Sequence, residues 1–150
     1  DIMPMFAPIH KIAAEKAREL MVGMESPHIL DIGSAAGEPA LSVARVLTDS
    51  QVVATDFSGL AAVGGRARAV RSGAKNIIFQ FSDAEDLQFD DDSFDLVICC
   101  LVLSVCDEEA VLPDIERILK PGGALLIIDF DDVSAVDYLR PLHAAVAACV

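Results

Sequence analysis

Short apolar runs alternate along this chain with longer segments in which apolar residues recur every three or four positions. Short continuous runs are typical of strands buried on both faces, and the wider spacing is typical of amphipathic helices. The predicted strands are 28–32, 51–55, 77–81, 95–101 and 124–130. The predicted helices are 9–22, a helix from the turn after the first strand to about Thr48-Asp49, 59–72, a helix from Asp107 to Lys120, and 134–148.

Two of these helices begin at residues suited to cap them. Ser58 precedes the helix at 59–72, and Asp107 precedes the helix that follows the fourth strand. Side-chain oxygens of such residues accept hydrogen bonds from free N–H groups of the first helical turn. The pair Gly64-Gly65 weakens the first of these helices, since each glycine costs about 1 kcal/mol relative to alanine. The same helix carries Arg66, Arg68 and Arg71, which are expected to point outward.

Strands and helices alternate with short connections, which favours right-handed crossovers and a parallel sheet. The expected fold class is therefore α/β, a doubly wound parallel sheet in the order 3-2-1-4-5. At 150 residues the chain fits one domain, 1–150, with a substantial core. Strand five would lie at an open edge of this sheet, and an open edge can pair with another chain.

The segment Ile29–Pro39 runs from a buried strand through a turn that contains Gly33 and Gly37 into a helix start. Glycine allows the backbone to turn sharply there and to approach a ligand closely. The second strand ends in Asp56, 19 residues after Gly37. An acidic residue at about this distance, on the neighbouring strand, can reach the hydroxyls of a ribose. These features together predict a site for an adenosine-containing cofactor.

The spacing of the glycines restricts which cofactor this is. A dinucleotide fingerprint that starts at Gly33 needs glycine at 35 and 38, where this chain has Ala35 and Glu38. Glu38 would also place a negative charge beside a pyrophosphate. A P-loop is excluded because no Gly-Lys-Ser/Thr follows the turn. The remaining pattern is an acidic residue, Asp31, followed by Gly33 and Gly37.

In this pattern the chain resembles the class I S-adenosylmethionine-dependent methyltransferases, whose first motif is acidic-x-Gly-x-Gly-x-Gly. Ala35 replaces the middle glycine. Three further segments resemble family motifs in the same order: 82–87, 89–98 and the turn Leu119-Lys120-Pro121-Gly122-Gly123. The similarity extends over nearly the whole chain. Within the family it is nearest to small-molecule methyltransferases related to the quinone-biosynthesis C-methyltransferases.

The resemblance implies a Rossmann-like fold and S-adenosyl-L-methionine as cofactor. It implies that Asp31 receives the ammonium group of the methionine part, that Asp56 holds the ribose and that Asp83 holds the adenine amino group. The backbone of Cys99 and Cys100, at the end of strand four, is expected to contact the cofactor. The complete set of predicted cofactor-binding residues is Asp31, Gly33, Ser34, Ala35, Gly37, Asp56, Phe57, Ser58, Asp83, Ala84, Glu85, Cys99 and Cys100.

Composition narrows the class of partner. The net charge is −13, from 24 acidic and 11 basic residues, so the surface repels nucleic-acid phosphates and disfavours DNA or RNA as substrate. A small neutral or cationic acceptor, or a basic protein, fits this charge better. No apolar run reaches the roughly 18 residues typical of a membrane span. The four cysteines lack metal-ligand spacing, so no metal is expected, and their apolar surroundings suggest reduced thiols in a cytoplasmic setting.

Members of the resembled family add two strands after the fifth, the last of them antiparallel beside strand five. This sequence is expected to lack both. It is therefore expected to be a C-terminally truncated fragment, or a protein that completes its sheet by forming a homodimer through the edge of strand five.

The sequence thus predicts methyl transfer to a small-molecule acceptor by in-line displacement. It shows no residue that stands out as a general base, so the catalytic residues are unknown. One alternative is a catalytically silent module of the same fold that serves as a partner subunit. The other is a nicotinamide-dependent oxidoreductase, which the glycine spacing disfavours.

Overall fold

A computed structural model of the chain describes residues 3–129 and 143–148, with side chains from residue 7 to residue 129. The helices are α1 (Met3–Leu20), α2 (Ala40–Val46), α3 (Gly59–Ser72) and α4 (Glu108–Ile118), with a 3₁₀ turn at Leu103–Val105. The strands are β1 (His28–Ile32), β2 (Gln51–Asp56), β3 (Ile77–Phe81), β4 (Phe94–Cys100), β5 (Leu119–Asp129) and β6 (His143–Ala148).

The strands form one sheet in the order β3-β2-β1-β4-β5-β6, and the first five are parallel. The predicted order 3-2-1-4-5 is therefore confirmed. At the carboxyl end of β1, Ile32 lies beside Thr55 of β2 and Cys99 of β4. The chain leaves β1 toward β2 on one side, and β4 lies on the other. This reversal of strand order is the place where open α/β sheets bind ligands.

The prediction for the end of the chain was wrong over 143–148. This segment is not part of a helix but the strand β6, which pairs antiparallel with β5 from Asp129 opposite His143 to Ala124 opposite Ala148. Alanine favours helices in isolation, but pairing with the edge of β5 supplies hydrogen bonds that override a local preference. The edge of β5 is therefore covered by an antiparallel strand, so the expectation that the chain lacks both further strands was wrong, and a homodimer through that edge loses its structural basis. Residues 134–142 lie outside the described residues.

Two apolar layers cover the sheet, one on each face. Residues of β4 alternate between them: Leu96 and Ile98 pack with α1, α2 and α3, whereas Val97 and Cys99 pack with α4. Every residue of β4 is buried. This alternation is the period of two of a β-strand, and burial on both faces explains the continuous apolar run of β4 in the sequence.

Both predicted helix caps are confirmed. Ser58 Oγ accepts a hydrogen bond from Ala61 N at 3.4 Å, and the carboxylate of Asp107 accepts one from Glu109 N at 3.0 Å. The helix after Asp107 ends at Ile118 rather than Lys120. Leu119 already has extended backbone angles (φ −72°, ψ 135°) and begins β5.

The starts of three strands meet at the carboxylate of Asp95. Its Oδ2 accepts hydrogen bonds from His28 N of β1 and Lys120 Nζ of β5, both at 2.8 Å. Burial would raise the pKa of Asp95, but these two bonds stabilise the charged form, and its pKa lies below the ordinary value. The amino ends of β1, β4 and β5 are thereby joined at the edge of the sheet opposite the glycine turn.

Helix α3 approaches β3 closely at Gly65. A Cβ atom at this position would lie 2.4 Å from Cε1 of Phe79, whereas one at Gly64 would meet only Ala36 Cβ, at 4.0 Å. Phe79 is buried, and its ring also lies 3.0 Å from the Cβ position of Gly37. The ring is thus held between the helix and the turn after β1, which explains why the predicted weakness of the glycine pair is tolerated.

We expect Gly65→Ala to lower the free energy of unfolding by about 1–3 kcal/mol, because the added methyl group overpacks a ring that has no room to move. Gly64→Ala is the matched control and should raise it by up to about 1 kcal/mol through better helix propensity. Urea denaturation followed by circular dichroism measures both. Equal effects of the two substitutions would contradict the packing argument.

Candidate functional site

The turn after β1 is built from residues in left-handed backbone conformations. Gly33, Ala35 and Gly37 have φ angles of 68°, 46° and 105°. Gly37 N donates a hydrogen bond to Ser34 O at 2.8 Å, which closes the turn. A side chain at Gly33 would also collide with Val102, since its Cβ would lie 2.5 Å from Val102 Cγ2. Only glycine fits at position 33.

Ala35 adopts the same left-handed conformation without being glycine. This conformation costs an L-residue roughly 1–2 kcal/mol. Ala35 N donates a hydrogen bond of 2.8 Å to Asp56 Oδ2, and this bond holds the strained residue in place. At position 35, where alanine replaces the middle glycine of the motif, the backbone therefore keeps a conformation that glycine would adopt without strain.

Asp31 is completely buried at the end of β1. Its Oδ2 accepts a hydrogen bond of 3.1 Å from Ala40 N at the start of α2. Among the described residues, its Oδ1 and Ser34 Oγ are the buried side-chain oxygens that have no hydrogen-bond partner. Burial raises the pKa of Asp31 well above its ordinary value. An acceptor of this kind favours a cationic donor, because an unpartnered buried carboxylate is costly.

Asp56 ends β2 with its carboxylate turned toward the glycine turn. Its Oδ2 accepts the bond from Ala35 N, and its Oδ1 accepts one from Ser58 N, also at 2.8 Å. A carboxylate has about four acceptor positions, so further capacity remains for hydroxyl donors. The next residue, Phe57, is 72% exposed, and its ring centroid lies 5.9 Å from that of Phe81.

The loop after β3 carries Asp83, Ala84 and Glu85. Asp83 Oδ1 accepts a hydrogen bond from Glu85 N at 3.0 Å, and Glu85 Oε1 accepts one from Asp107 N at 2.8 Å. Asp83 is exposed, and Ala84 packs against the apolar layer of α4. The loop is therefore tied to the start of α4. Since Phe81 is the register partner of Asp56, the loop begins level with that carboxylate.

Cys99 and Cys100 end β4 with their side chains in the two opposite apolar layers. Burial raises the pKa of the Cys99 thiol far above its ordinary range and that of Cys100 to about 12. Neither thiol is a nucleophile at neutral pH, since the thiolate is the reactive form. The next residue, Leu101, has a φ of 60°.

Some of the predicted binding residues are connected by hydrogen bonds, and the others lie in two segments beside them. Asp56 is hydrogen-bonded to Ala35 and Ser58, and Asp31 joins β1 to the start of α2. The loop 83–85 and the pair Cys99-Cys100 lie at the carboxyl ends of β3 and β4. All of them are therefore found along one edge of the sheet.

Two residues of the turn's support, Glu38 and Arg68, are missing from the predicted set, and the expectation that Arg68 points outward was wrong. Arg68 Nη1 donates to Ala36 O at 2.9 Å, and Nη2 contacts Glu38 Oε1 at 3.1 Å. Glu38 Oε2 accepts from Ser42 Oγ at 2.7 Å. Helical phase could have identified Arg68, because it lies three residues after the buried Gly65 and therefore on the same face.

Arg66 is exposed, as predicted, but its guanidinium also bonds to the sheet. Its Nε and Nη2 donate hydrogen bonds to Phe79 O on β3, at 3.2 and 2.7 Å. Arg71 is exposed, as predicted.

His10 of α1 lies within electrostatic range of Glu38 and Arg68. Burial lowers its pKa, Glu38 opposes this shift, and Arg68 adds to it. In the part of the chain that the structure describes, no helix is long and apolar enough to cross a bilayer. The same residues contain no cluster of three or more metal-ligating side chains.

Residues 25–148 match the methyltransferase-domain family. The chain is 35% identical over 136 residues to the ubiquinone/menaquinone biosynthesis C-methyltransferase UbiE of Saccharophagus degradans, covering 87% of this chain and 54% of that protein. It is 42% identical over 104 residues to the demethylmenaquinone methyltransferase of Clavibacter sepedonicus, covering 68% and 40%. The chain thus spans about half the length of the curated relatives it matches.

Solved structures agree with this assignment. A proposed S-adenosyl-L-methionine-dependent methyltransferase of Methanococcus maripaludis superposes with a TM-score of 0.75 at 26% identity, over 84% of this chain and 57% of that one. The family match, the relatives and the parallel sheet in the order 3-2-1-4-5 lead to one conclusion. The chain belongs to the S-adenosyl-L-methionine-dependent methyltransferases.

Proposed function

We propose that this chain is a cofactor-binding domain, 1–150, of an enzyme that transfers a methyl group from S-adenosyl-L-methionine to a small-molecule acceptor. The observation that carries the proposal is the buried, unpartnered Asp31 Oδ1 beside the left-handed turn 33–37. The cofactor has an ammonium group that fits such an acceptor. When bound, it supplies a methyl group on a positively charged sulfur, which is already activated toward nucleophiles.

The residues of the chain would bind and orient this cofactor. Asp31 would accept the ammonium group, and Asp56 would accept the ribose hydroxyls next to its bonds to Ala35 and Ser58. Asp83 would receive the adenine amino group. The remaining contacts would come from Gly33, Ser34, Ala35, Gly37, Phe57, Ser58, Ala84, Glu85, Cys99 and Cys100, mostly through their backbone.

The relatives and the charge of the chain support the proposed class of acceptor. One relative is named as a ubiquinone/menaquinone biosynthesis C-methyltransferase and the other as a demethylmenaquinone methyltransferase, which supports a quinone-type ring as acceptor and a ring carbon as the methylated atom. The bound cofactor would supply its methyl group to the ring carbon as the carbon–sulfur bond breaks, S-adenosylhomocysteine would leave, and the ring proton would pass to solvent after the transfer. The protein's task is to align these atoms and exclude water. A net charge of −13 suits a neutral acceptor better than a phosphorylated one.

The proposal also includes the cellular compartment of the enzyme. Cys99, Cys100 and Cys106 are free thiols, which supports a reducing compartment such as the cytoplasm. Family membership favours methyl transfer over a nicotinamide oxidoreductase. Nothing specific in the structure favours a silent partner subunit.

Calorimetry with S-adenosylhomocysteine tests the cofactor site directly. The chain should bind it, and Asp56→Asn should weaken binding by about tenfold or more, because a charged acceptor contributes about 1.5–3 kcal/mol per hydrogen bond. Asp49→Asn, at the opposite edge of the sheet, is the matched control and should leave the dissociation constant unchanged. Lack of binding at millimolar ligand by the folded wild-type chain would refute the proposal.

Asp31→Asn should separate stability from binding. Asparagine has neither a charge to bury nor a proton to take up on folding, so at pH 7 the free energy of unfolding should rise by about 1–3 kcal/mol. Because the folded-state pKa of Asp31 is raised, its stability contribution is full below the unfolded pKa and is lost as pH rises through the folded pKa. The gain should therefore vanish below about pH 4. Binding of S-adenosylhomocysteine should weaken at least about tenfold; unchanged binding would argue against the ammonium contact.

Ala35→Gly should relieve strain at the left-handed position. The cost of roughly 1–2 kcal/mol disappears, partly offset by the greater freedom of glycine in the unfolded chain. We expect a small rise in the unfolding free energy and equal or tighter cofactor binding. Ala36→Gly is the control, since it gains only the unfolded-state freedom and should destabilise. Differential scanning calorimetry distinguishes the two; destabilisation by both would show that Ala35 carries no strain.

A further inference from the structure

The outer face of α3 is apolar and exposed. Leu60, Val63 and Val70 are 85%, 60% and 81% exposed, and Ala67 between them is exposed as well. These four residues, the outer stripe, follow the spacing i, i+3, i+7, i+10. On a helix this spacing forms one column about 15 Å long. A helix on the surface of a globular protein ordinarily carries polar residues there.

Within the part of the chain that the structure describes, the core does not use the outer stripe. Helix α3 packs on the sheet through Ala62, Gly65 and Ala69, which lie on its other side. The stripe is therefore a second apolar face on one helix. An exposed apolar patch of this kind, bordered by polar residues, is typical of an interaction site.

The charged residues around the outer stripe are basic, whereas the chain as a whole is acidic. No acidic residue occurs between Asp56 and Asp83, although the chain has 24 of them. At 100° per residue, Arg66 borders one side of the stripe and Arg71 the other. Arg71 and Lys75 are exposed, and neither forms an ion pair within 3–129 and 143–148.

We propose that the outer stripe docks an acidic amphipathic helix of a partner protein. The 3-4 spacing is that of the contact seam between paired helices. Acidic residues beside the partner's apolar seam would lie opposite Arg71 and the remaining guanidinium edge of Arg66, and Lys75 adds a positive charge just after the end of the helix. This chain is strongly negative as a whole, but the charge beside the outer stripe is positive. That local positive charge favours an acidic partner.

A second copy of the chain fits the stripe poorly. Two α3 helices would bring arginine against arginine. The acidic helix α4 cannot serve as the partner, because Val111, Ile115 and Ile118 are buried in its own core. An anionic bilayer would attract the local cations but would be repelled by the net charge of −13.

Fluorescence anisotropy with two labelled three-heptad peptides tests the proposal. Both peptides carry Leu at positions a and d; one has Glu at e and g, which prevents self-pairing at neutral pH, and the other has Lys there. The wild-type chain should bind the Glu peptide at least about tenfold more tightly than the Lys peptide. Leu60→Asp and Val70→Asp should each weaken this binding at least about tenfold. Val22→Asp, at an 80% exposed site elsewhere, should leave it unchanged.

The double variant Arg71→Glu/Lys75→Glu should shift the preference toward the Lys peptide, with an unchanged circular dichroism spectrum. Four outcomes would overturn the proposal. They are no binding of the Glu peptide at millimolar concentration, equal binding of the two peptides, a dimer in sedimentation that Leu60→Asp dissociates, and stripe-dependent binding to phosphatidylglycerol vesicles without binding of the peptide.

Discussion

The carboxyl group of Asp31 sets the shape of the site, because a fully buried polar group destabilises the fold unless it is hydrogen-bonded. One oxygen is satisfied by Ala40 N, nine residues later in the chain. To bring that N–H back over the end of β1, the backbone has to reverse within a few residues. The left-handed conformations at Gly33, Ala35 and Gly37 perform this reversal. The second oxygen has no hydrogen-bond partner, so the same constraint that folds the turn also leaves free the group that we propose binds the cofactor.

Hydrogen bonds from neighbouring elements hold the conformation of the turn. Asp56 of β2 binds Ala35 N, and Thr55 O accepts a hydrogen bond of 2.8 Å from Ser34 N. Arg68 of α3 binds Ala36 O from the other side. Each contact comes from an element that follows β1 in the chain, so the turn is rigid only once the β1–β2–α3 unit has assembled. A turn fixed in this way would bind the proposed cofactor without a further ordering cost, which is the advantage of preorganisation.

The sequence was sufficient for the sheet order and for the residues that meet at its carboxyl edge, because strand periodicity and the glycine pattern are local signals. It was insufficient for three features that depend on distant contacts. The strand β6 pairs with the edge of β5, Arg68 turns inward to bind Ala36 O and Glu38, and Gly65 is tolerated because Phe79 fills the space beside it. Local preference predicts a helix, an exposed arginine and a weak helix at these places. In each case a tertiary partner reverses that preference.

The two faces of α3 explain why one helix combines small and large apolar residues. The inner face needs Ala62, Gly65 and Ala69, because larger side chains would push the helix away from β3 and lift Arg68 off the turn. The outer face has no such requirement, and polar residues there would serve the fold equally well. Exposed Leu60 and Val70 carry a risk of self-association. The net charge of −13 keeps copies of the chain apart, while the local arginines leave the face open to a partner of opposite sign. Without this charge distribution, the exposed apolar surface would promote aggregation. With it, the surface is open to the proposed partner.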